Sequence, residues 1–195
     1  RMQANAKLYD VIRIDHFIGI VNYWSIPSSC PTAVDGKWRK GPGKKLTDVI
    51  REATKETDII AEDLGVVGPN VRSLIRKTGW PGMKILEFAF DDSQENEYLP
   101  HNYKDPNCLV YGGTHDNETL MGFYGAKKKK DLKYVMDYLQ IKKKKQIPSE
   151  MIRLGYSSIA NTAIFQMQDV LGLDNRARMN LPSSVGTNWR WRMLP

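Results

Sequence analysis

Short apolar stretches that suit β-strands alternate along the chain with stretches of helical periodicity. The strand-like stretches are residues 8–15, 57–63, 82–90, 108–114 and 163–171. Helices are predicted over 46–56, 69–78 and 131–141, with another that begins near Ser149. Strands that alternate with helices predict βαβ units around a parallel sheet, so the predicted fold class is α/β.

Polar and acidic residues end the predicted strands, although the strands themselves are mostly apolar. The residues at or near these ends are Asp15, Glu62, Asp91, His115–Asp116 and Gln168–Asp169. In parallel α/β folds the chemistry takes place at the carboxyl ends of the strands. The pattern therefore predicts an active-site rim that is rich in carboxylates.

The segment VIRIDHF shows how the first strand would present its carboxylate. Side chains alternate between the two faces of a strand, so Arg13 and Asp15 share one face, and Ile12 and Ile14 share the other. A nearby guanidinium favours the ionised form of a carboxylate, which suits a nucleophile. The alternative is an Arg–Asp pair that only braces the strand.

The segment IIAEDLG gives a second candidate. Ile60 and Glu62 share one face of the predicted strand, and Asp63 lies on the other. A glutamate at the end of an apolar strand is partly buried, which suits a general acid. The alternative is that Glu62 or Asp63 caps the next helix.

The segment THDNET places three hydrogen-bonding side chains in a row, His115, Asp116 and Asn117. Such a cluster can grip sugar hydroxyls. The alternative is a helix N-terminus with Thr114 or Asp116 as its cap. No HExxH or CxxC motif accompanies the histidine, so no metal site is predicted.

Composition removes several classes of function. Hydrophobic residues make up 41% of the chain, and no apolar run approaches the roughly 18 residues of a membrane span. The net charge of +7 lies largely in two lysine runs, 127–130 and 142–145, without interleaved aromatics. The two lysine runs are therefore expected to form solvated surface and not a nucleic-acid-binding site. The sequence has no GxGxxG, Walker A or GxSxG motif, which leaves carboxylate chemistry.

Taken together, the segments resemble the amylomaltases, the 4-α-glucanotransferase family of the α-amylase clan. The matching motifs, in chain order, are RIDHF followed by YWSIP, GKWRKGPG, IIAEDLG, PGMKILEFAF, LPHN, GTHDNET, QDVLGL, ARMNLP and NWRWR. They run from residue 11 to residue 192, so the resemblance covers nearly the whole chain. The order of so many motifs makes the resemblance far more specific than any one of them.

The resemblance implies a (β/α)8 TIM-type barrel and a role for each matched residue. Asp15 would be the nucleophile after barrel strand 4, Glu62 the general acid/base after strand 5, and Asp116 the transition-state stabiliser after strand 7. Residues implied in substrate binding are Arg13, His115, Phe88 and Asn180. The implied reaction transfers segments of α-1,4-glucan between maltodextrins, with glucose as an acceptor, by a retaining double displacement that needs no cofactor.

Two departures from the family qualify these expectations. Ile18 stands where the family often has arginine, which affects fine specificity. Barrel strands 1 to 3 have no counterpart, so residues 1–195 are expected to be the C-terminal part of one catalytic domain, an incomplete barrel partnered by its N-terminal half. A hydrolase of the same clan and a non-catalytic fragment remain alternatives.

The opening residues RMQANAKLYD lack the apolar core of a signal peptide, which favours a cytoplasmic location.

Overall fold

Two compact units make up the chain in the computed structural model, which describes residues 1–91 and 93–194, with Lys129 described by its backbone alone. The first unit is Arg1–Met83 and the second is Lys84–Pro195. Both contain helices and strands, so the predicted α/β class is confirmed.

The first unit contains two pairs of strands and four helices. In chain order its elements are α1 (Met2–Ala6), β1 (Val11–Ile14), α2 (Ile18–Val21), β2 (Asn22–Ser25), β3 (Lys37–Lys40), α3 (Lys44–Ala53), β4 (Asp58–Ala61) and α4 (Pro69–Thr78). Strands β1 and β4 are parallel, with Ile14 opposite Ala61. Strands β2 and β3 form an antiparallel hairpin that was not predicted.

The core of the first unit lies against one face of β1. Ile12 and Ile14 pack on a buried cluster that includes Phe17, Ile59 and Trp80. Ile12 and Ile14 therefore share one face, as predicted, and this face is the core face. Arg13 and Asp15 are left for the other face, because side chains alternate along a strand.

The second unit is built on a three-stranded sheet. Its elements are β5 (Gly82–Ile85), which contains the boundary between the units, β6 (Cys108–Tyr111), α5 (Leu120–Ala126), α6 (Lys129–Tyr138), α7 (Ile147–Tyr156), β7 (Thr162–Ile164) and α8 (Met167–Val170). The strand order is β5-β6-β7, and β6 is parallel to β7. Its core packs α5, α6 and α7 around residues such as Val110, Leu120, Val135 and Met151.

The predicted strand over residues 163–171 is wrong beyond its first residues. The ladder ends where Ile164 pairs with Tyr111, and helix α8 begins at Met167. A short apolar run fits a strand and a buried helix equally well by periodicity. Here β6 ends at Tyr111, so the rest of the run has no strand to pair with and forms a helical turn.

Within residues 1–91 and 93–194, no helix combines the length and the apolar character needed to cross a bilayer. In the same described part of the chain, no three histidine, cysteine or acidic side chains are grouped in a way that could hold a metal ion.

Candidate active site

Asp15 and Glu62 directly follow the paired ends of β1 and β4. The Glu62 N–H donates to the Ile14 carbonyl at 3.0 Å, and the Phe17 N–H donates to the Glu62 carbonyl at 3.0 Å. The backbone pairing therefore continues one step past both strands. Since the strands are parallel, the two carboxyl groups leave the sheet at the same edge.

The Glu62 carboxyl group is held by backbone donors. Its Oε2 accepts the His16 N–H at 2.7 Å, and its Oε1 accepts the Leu64 N–H at 2.7 Å. The residue is only 8% exposed. Helix α4 has Gly68 as its N-cap and no side-chain cap, so the helix-capping alternative for Glu62 is wrong. Both oxygens are therefore fixed by the chain that surrounds them.

Asp15 is far more open than Glu62. Its Oδ1 lies 2.8 Å from Arg13 NH1, and its side chain is 77% exposed against 28% for Arg13. Arg13 is held in turn by a contact of its Nε with Met83 Sδ at 3.4 Å. The guanidinium therefore supports a carboxylate that a ligand can still reach.

His16 is part of this site, although it was not among the predicted site residues. Its φ is 49°, in the left-handed region that non-glycine residues rarely adopt. A Cβ at Gly19 would come within 2.8 Å of the His16 ring, so only glycine leaves room for it there. Strained backbone of this kind clusters at functional sites, and here it turns the His16 N–H towards Glu62.

His115 and Asp116 lie on a turn between β6 and α5. The Asn117 N–H donates to the Thr114 carbonyl at 3.0 Å, and Asn117 Oδ1 accepts the Thr114 N–H at 2.9 Å. Helix α5 begins later and is capped by Thr119, so the helix-capping alternative for Thr114 and Asp116 is wrong. His115 Nε2 lies 3.5 Å from Asp116 Oδ2.

A later segment of the second unit braces this turn. Asn180 Nδ2 donates to Asp116 Oδ1 at 2.6 Å, and Arg178 NH2 donates to the Asp116 carbonyl at 2.6 Å. The Trp189 ring lies beside the His115 ring, with centroids 5.2 Å apart. Arg178 and Trp189 were not predicted as site residues. They lie in the ARMNLP and NWRWR motifs, and that is the signal that could have found them.

Phe88 also lies in the second unit, directly after β5. It packs edge-to-face on Tyr98, with centroids 5.7 Å apart, and it is 41% exposed. Half of the Asp116 side chain and 42% of the His115 side chain are exposed as well. The second unit therefore offers a carboxylate, an imidazole and aromatic faces that a polyhydroxylated ligand can reach.

Buried acids lie beneath the Asp116 turn. Burial raises the pKa of Glu87 to about 8, against a partial lowering by its hydrogen bond from Asn117. Burial likewise raises the pKa of Asp169 to about 6. The pKa of Tyr124 is raised by burial and by the neighbouring Glu87. Asp169 was predicted at the rim as a strand-end residue, but it lies buried in helix α8; Glu87 and Tyr124 were not among the predicted site residues.

The predicted residues therefore form two groups, each within one unit. The first unit brings together Arg13, Asp15 and Glu62, and the second brings together His115, Asp116 and Asn180. An exposed carboxylate beside an oriented carboxyl group is suited to attack on an acetal carbon with proton transfer to the departing oxygen. An oriented carboxylate with an imidazole is suited to binding sugar hydroxyls and to stabilising positive charge.

Comparison with known families gives a match over the length of the chain. The family model described as 4-alpha-glucanotransferase matches residues 1–194. The 4-alpha-glucanotransferase of Thermus thermophilus is 44% identical over 201 residues, which cover 100% of this chain and 40% of that protein. That of Clostridium butyricum is 45% identical and covers 98% of this chain and 39% of that protein.

Solved structures give the same match. The amylomaltase of Streptococcus agalactiae in complex with acarbose superimposes with a TM-score of 0.92 at 40% identity, over 99% of this chain and 39% of that one. The amylomaltase of Corynebacterium glutamicum, at 17% identity and a TM-score of 0.76, shows the same fold. This chain thus spans about two fifths of the length of these relatives.

Proposed function

Because the chain belongs to the 4-alpha-glucanotransferase family, we propose that it carries the catalytic carboxylates of a retaining transferase acting on α-1,4-glucans. The substrates are maltodextrins or starch-type glucans, and glucose or another glucan end is the acceptor. The observation that carries the proposal is the pairing of Asp15 and Glu62, since the Glu62 carboxyl group is clamped by two backbone N–H groups next to the open Asp15 carboxylate.

The first half of the reaction assigns a role to each of these carboxyl groups. Asp15 attacks the anomeric carbon while Glu62 donates a proton to the departing glycosidic oxygen. The carbon–oxygen bond to the leaving sugar breaks, and a glucosyl ester with Asp15 forms. Retaining enzymes of this kind hold the two carboxyl groups about 5–5.5 Å apart.

The second half reverses these steps with a new sugar. Glu62, now a carboxylate, takes the proton from the 4-hydroxyl of the acceptor, whose oxygen attacks the anomeric carbon and releases Asp15. Asp116 stabilises the positive charge that develops on the sugar ring, and His115 and Asn180 orient the ring. Arg13 holds Asp15, and Phe88 packs against a sugar ring. Transfer exceeds hydrolysis because the acceptor sugar takes the place of water.

The architecture proposed for this chemistry is a (β/α)8 barrel, to which this chain contributes strands corresponding to about 4 to 8. The chain spans about two fifths of its relatives. We therefore propose that residues corresponding to the rest of their length complete the barrel and the glucan cleft. The assignment of residues 1–195 to one catalytic domain and the cytoplasmic location stay predictions.

A disproportionation assay tests the proposal. The chain is incubated with maltotriose, alone and with the N-terminal part of a relative supplied, and the products are followed by mass spectrometry. A ladder of longer maltodextrins together with glucose, abolished by Asp15→Asn and kept by the surface control Asp10→Asn, is the expected result. Glucose and maltose without longer products would indicate a hydrolase, and no products in either mixture would contradict catalysis by these residues.

A further inference from the structure

A buried carboxyl group beneath the Asp116 turn has no role in the reaction described above. We infer that Glu87 is a positioning residue, which holds the turn of residues 114–117, and with it His115 and Asp116, through the side chain of Asn117. The inference rests on the proposed function in one respect only, namely that Asp116 and His115 act on the substrate. The positioning contact itself can be tested without any substrate.

Three hydrogen bonds run in one direction from Asp116 to Glu87. The Asp116 N–H donates to Thr114 Oγ1 at 3.3 Å. The Thr114 hydroxyl donates to Asn117 Oδ1 at 2.8 Å, and Asn117 Nδ2 donates to Glu87 Oε2 at 2.5 Å. Every donor in this relay points towards Glu87. The relay therefore needs an acceptor at its end, and Glu87 Oε2 supplies it.

The backbone of Glu87 strengthens this connection. Its N–H donates to the Gly112 carbonyl at 3.0 Å, so Glu87 is attached to the chain just before the turn as well as to the turn itself. Asn117 Oδ1 also accepts the Thr114 N–H. Because the amide oxygen is committed to Thr114, its nitrogen must face Glu87, and losing that acceptor would leave the amide free to rotate.

The surroundings of Glu87 favour its neutral form. The residue is 5% exposed, and its Oε1 has no hydrogen-bond partner among the described residues. The charged groups around it are Glu118 and Asp169, which oppose its ionisation, and Arg178, which favours it. The Tyr124 hydroxyl also interacts with it electrostatically. The neutral acid can still accept from Asn117 at Oε2, so the contact does not require an ionised Glu87.

Two variants separate positioning from folding. Glu87→Gln keeps a neutral acceptor of the same size, so it preserves the relay and removes the titration. Glu87→Ala removes the acceptor and leaves Asn117 Nδ2 unpaired. Glu150→Gln is the matched control, because Glu150 is a glutamate of the same unit that pairs with Arg153 on the surface.

Nuclear magnetic resonance decides the inference without substrate. The carboxyl carbons of glutamate and the amides of Thr114, Asp116 and Asn117 are followed from pH 5 to about pH 9.5. We expect the three amides to shift with a midpoint near pH 8, equal to that of the Glu87 carboxyl. Their shifts should vanish in Glu87→Gln and persist in Glu150→Gln. The inference would be overturned if the three amides did not shift as Glu87 titrates, or if they shifted equally in Glu87→Gln.

Transfer kinetics in the completed enzyme then test the consequence. Glu87→Ala should lower kcat about 10- to 100-fold with a smaller change in KM, because a misplaced catalytic group costs rate more than binding. Glu87→Gln should restore kcat and abolish any decline in kcat above pH 8. An unchanged kcat in Glu87→Ala would overturn the positioning role. A wild type without transfer activity would contradict the proposed function, and the amide titration would still decide the contact.

Discussion

The two groups of site residues are held by different means. In the first unit, backbone N–H groups of His16 and Leu64 fix Glu62 at the end of a parallel strand pair. In the second unit, side chains far apart in sequence fix Asp116, among them Asn180, Arg178 and, through Asn117, Glu87. Backbone donors survive almost any substitution, whereas side-chain donors do not. Substitution of the residues that hold Glu62 should therefore have little effect, whereas substitution of the residues that hold Asp116 should lower activity. Asp15, which is held by the Arg13 guanidinium, shares the second kind of support.

The largest expected effect is at Asp15. Removing a nucleophile typically costs about 10⁴-fold or more in kcat, so Asp15→Asn should reduce transfer from maltotriose by at least that factor. Asp10→Asn should keep the rate of transfer within about threefold of the wild-type rate, because Asp10 lies before β1 and is exposed. Initial rates of glucose release measure both. If Asp15→Asn lowered the rate less than about 100-fold, Asp15 would not be the nucleophile, and the first unit would not supply the group that attacks the anomeric carbon.

The next effect concerns stability and belongs to the second unit alone. The pKa of Glu87 is raised from 4.5 to about 8, with burial as its main cause. Between these values the unfolded chain has lost the proton and the folded chain keeps it. The free energy of unfolding should therefore fall as pH rises from about 4.5 to about 8, and then level off. Each pKa unit corresponds to about 1.4 kcal/mol, and solvent screening reduces the effect, so we expect the free energy of unfolding to fall by about 3 kcal/mol in total.

Comparison with Glu87→Gln isolates this effect from that of Asp169, whose pKa is raised to about 6. The free energy of unfolding of the variant should match that of the wild type at pH 5 and exceed it by about 3 kcal/mol at pH 8.5. Hydrogen exchange of the β6 amides reports on the second unit without the first. Parallel curves for the two proteins across this range would show that Glu87 is ionised at neutral pH and would weaken the contrast between the two units.

A smaller effect is expected at Asn180. Asn180→Ala removes the donor to Asp116 Oδ1, and we expect transfer to fall about 10- to 100-fold, as for other displaced catalytic groups. Asn161→Ala is the matched control, since Asn161 is an exposed asparagine of the same unit. If Asn180→Ala were as active as Asn161→Ala, side-chain support would not distinguish the second group from the first.

The contrast between the units also explains which parts of the site could be predicted from the sequence. Alternation along β1 predicted that Ile12 and Ile14 share one face, and the structure shows that this is the core face. Strands β4, β5 and β6 fall within their predicted ranges, since apolar runs mark buried strands. The supports of Asp116 could not be predicted in the same way, because Asn117 and Glu87 are 30 residues apart, and Asn180 and Asp116 are 64 apart. No local periodicity encodes such contacts.

Helix α5 and the hairpin of β2 and β3 were missed for physical reasons as well. Helix α5 contains Gly122 and Gly125, which lower helix propensity. A Cβ at Gly122 would overlap the side chain of Asn175, so glycine is required there by packing. The hairpin strands are four residues each and largely exposed, so they lack the apolar alternation by which strands are recognised.

The smallest expected effect is at His16, whose backbone has a φ of 49°. Asparagine tolerates this left-handed conformation, whereas a β-branched residue does not. His16→Asn should therefore change the free energy of unfolding of the first unit by less than about 1 kcal/mol, and His16→Val should lower it by about 1–2 kcal/mol. Urea unfolding followed by hydrogen exchange of the β1 amides measures the difference. Because the His16 N–H to Glu62 bond comes from the backbone, His16→Asn should also keep most of the transfer activity. A large loss of activity in His16→Asn would mean that the imidazole itself supports Glu62, and Glu62 would then depend on side chains as Asp116 does.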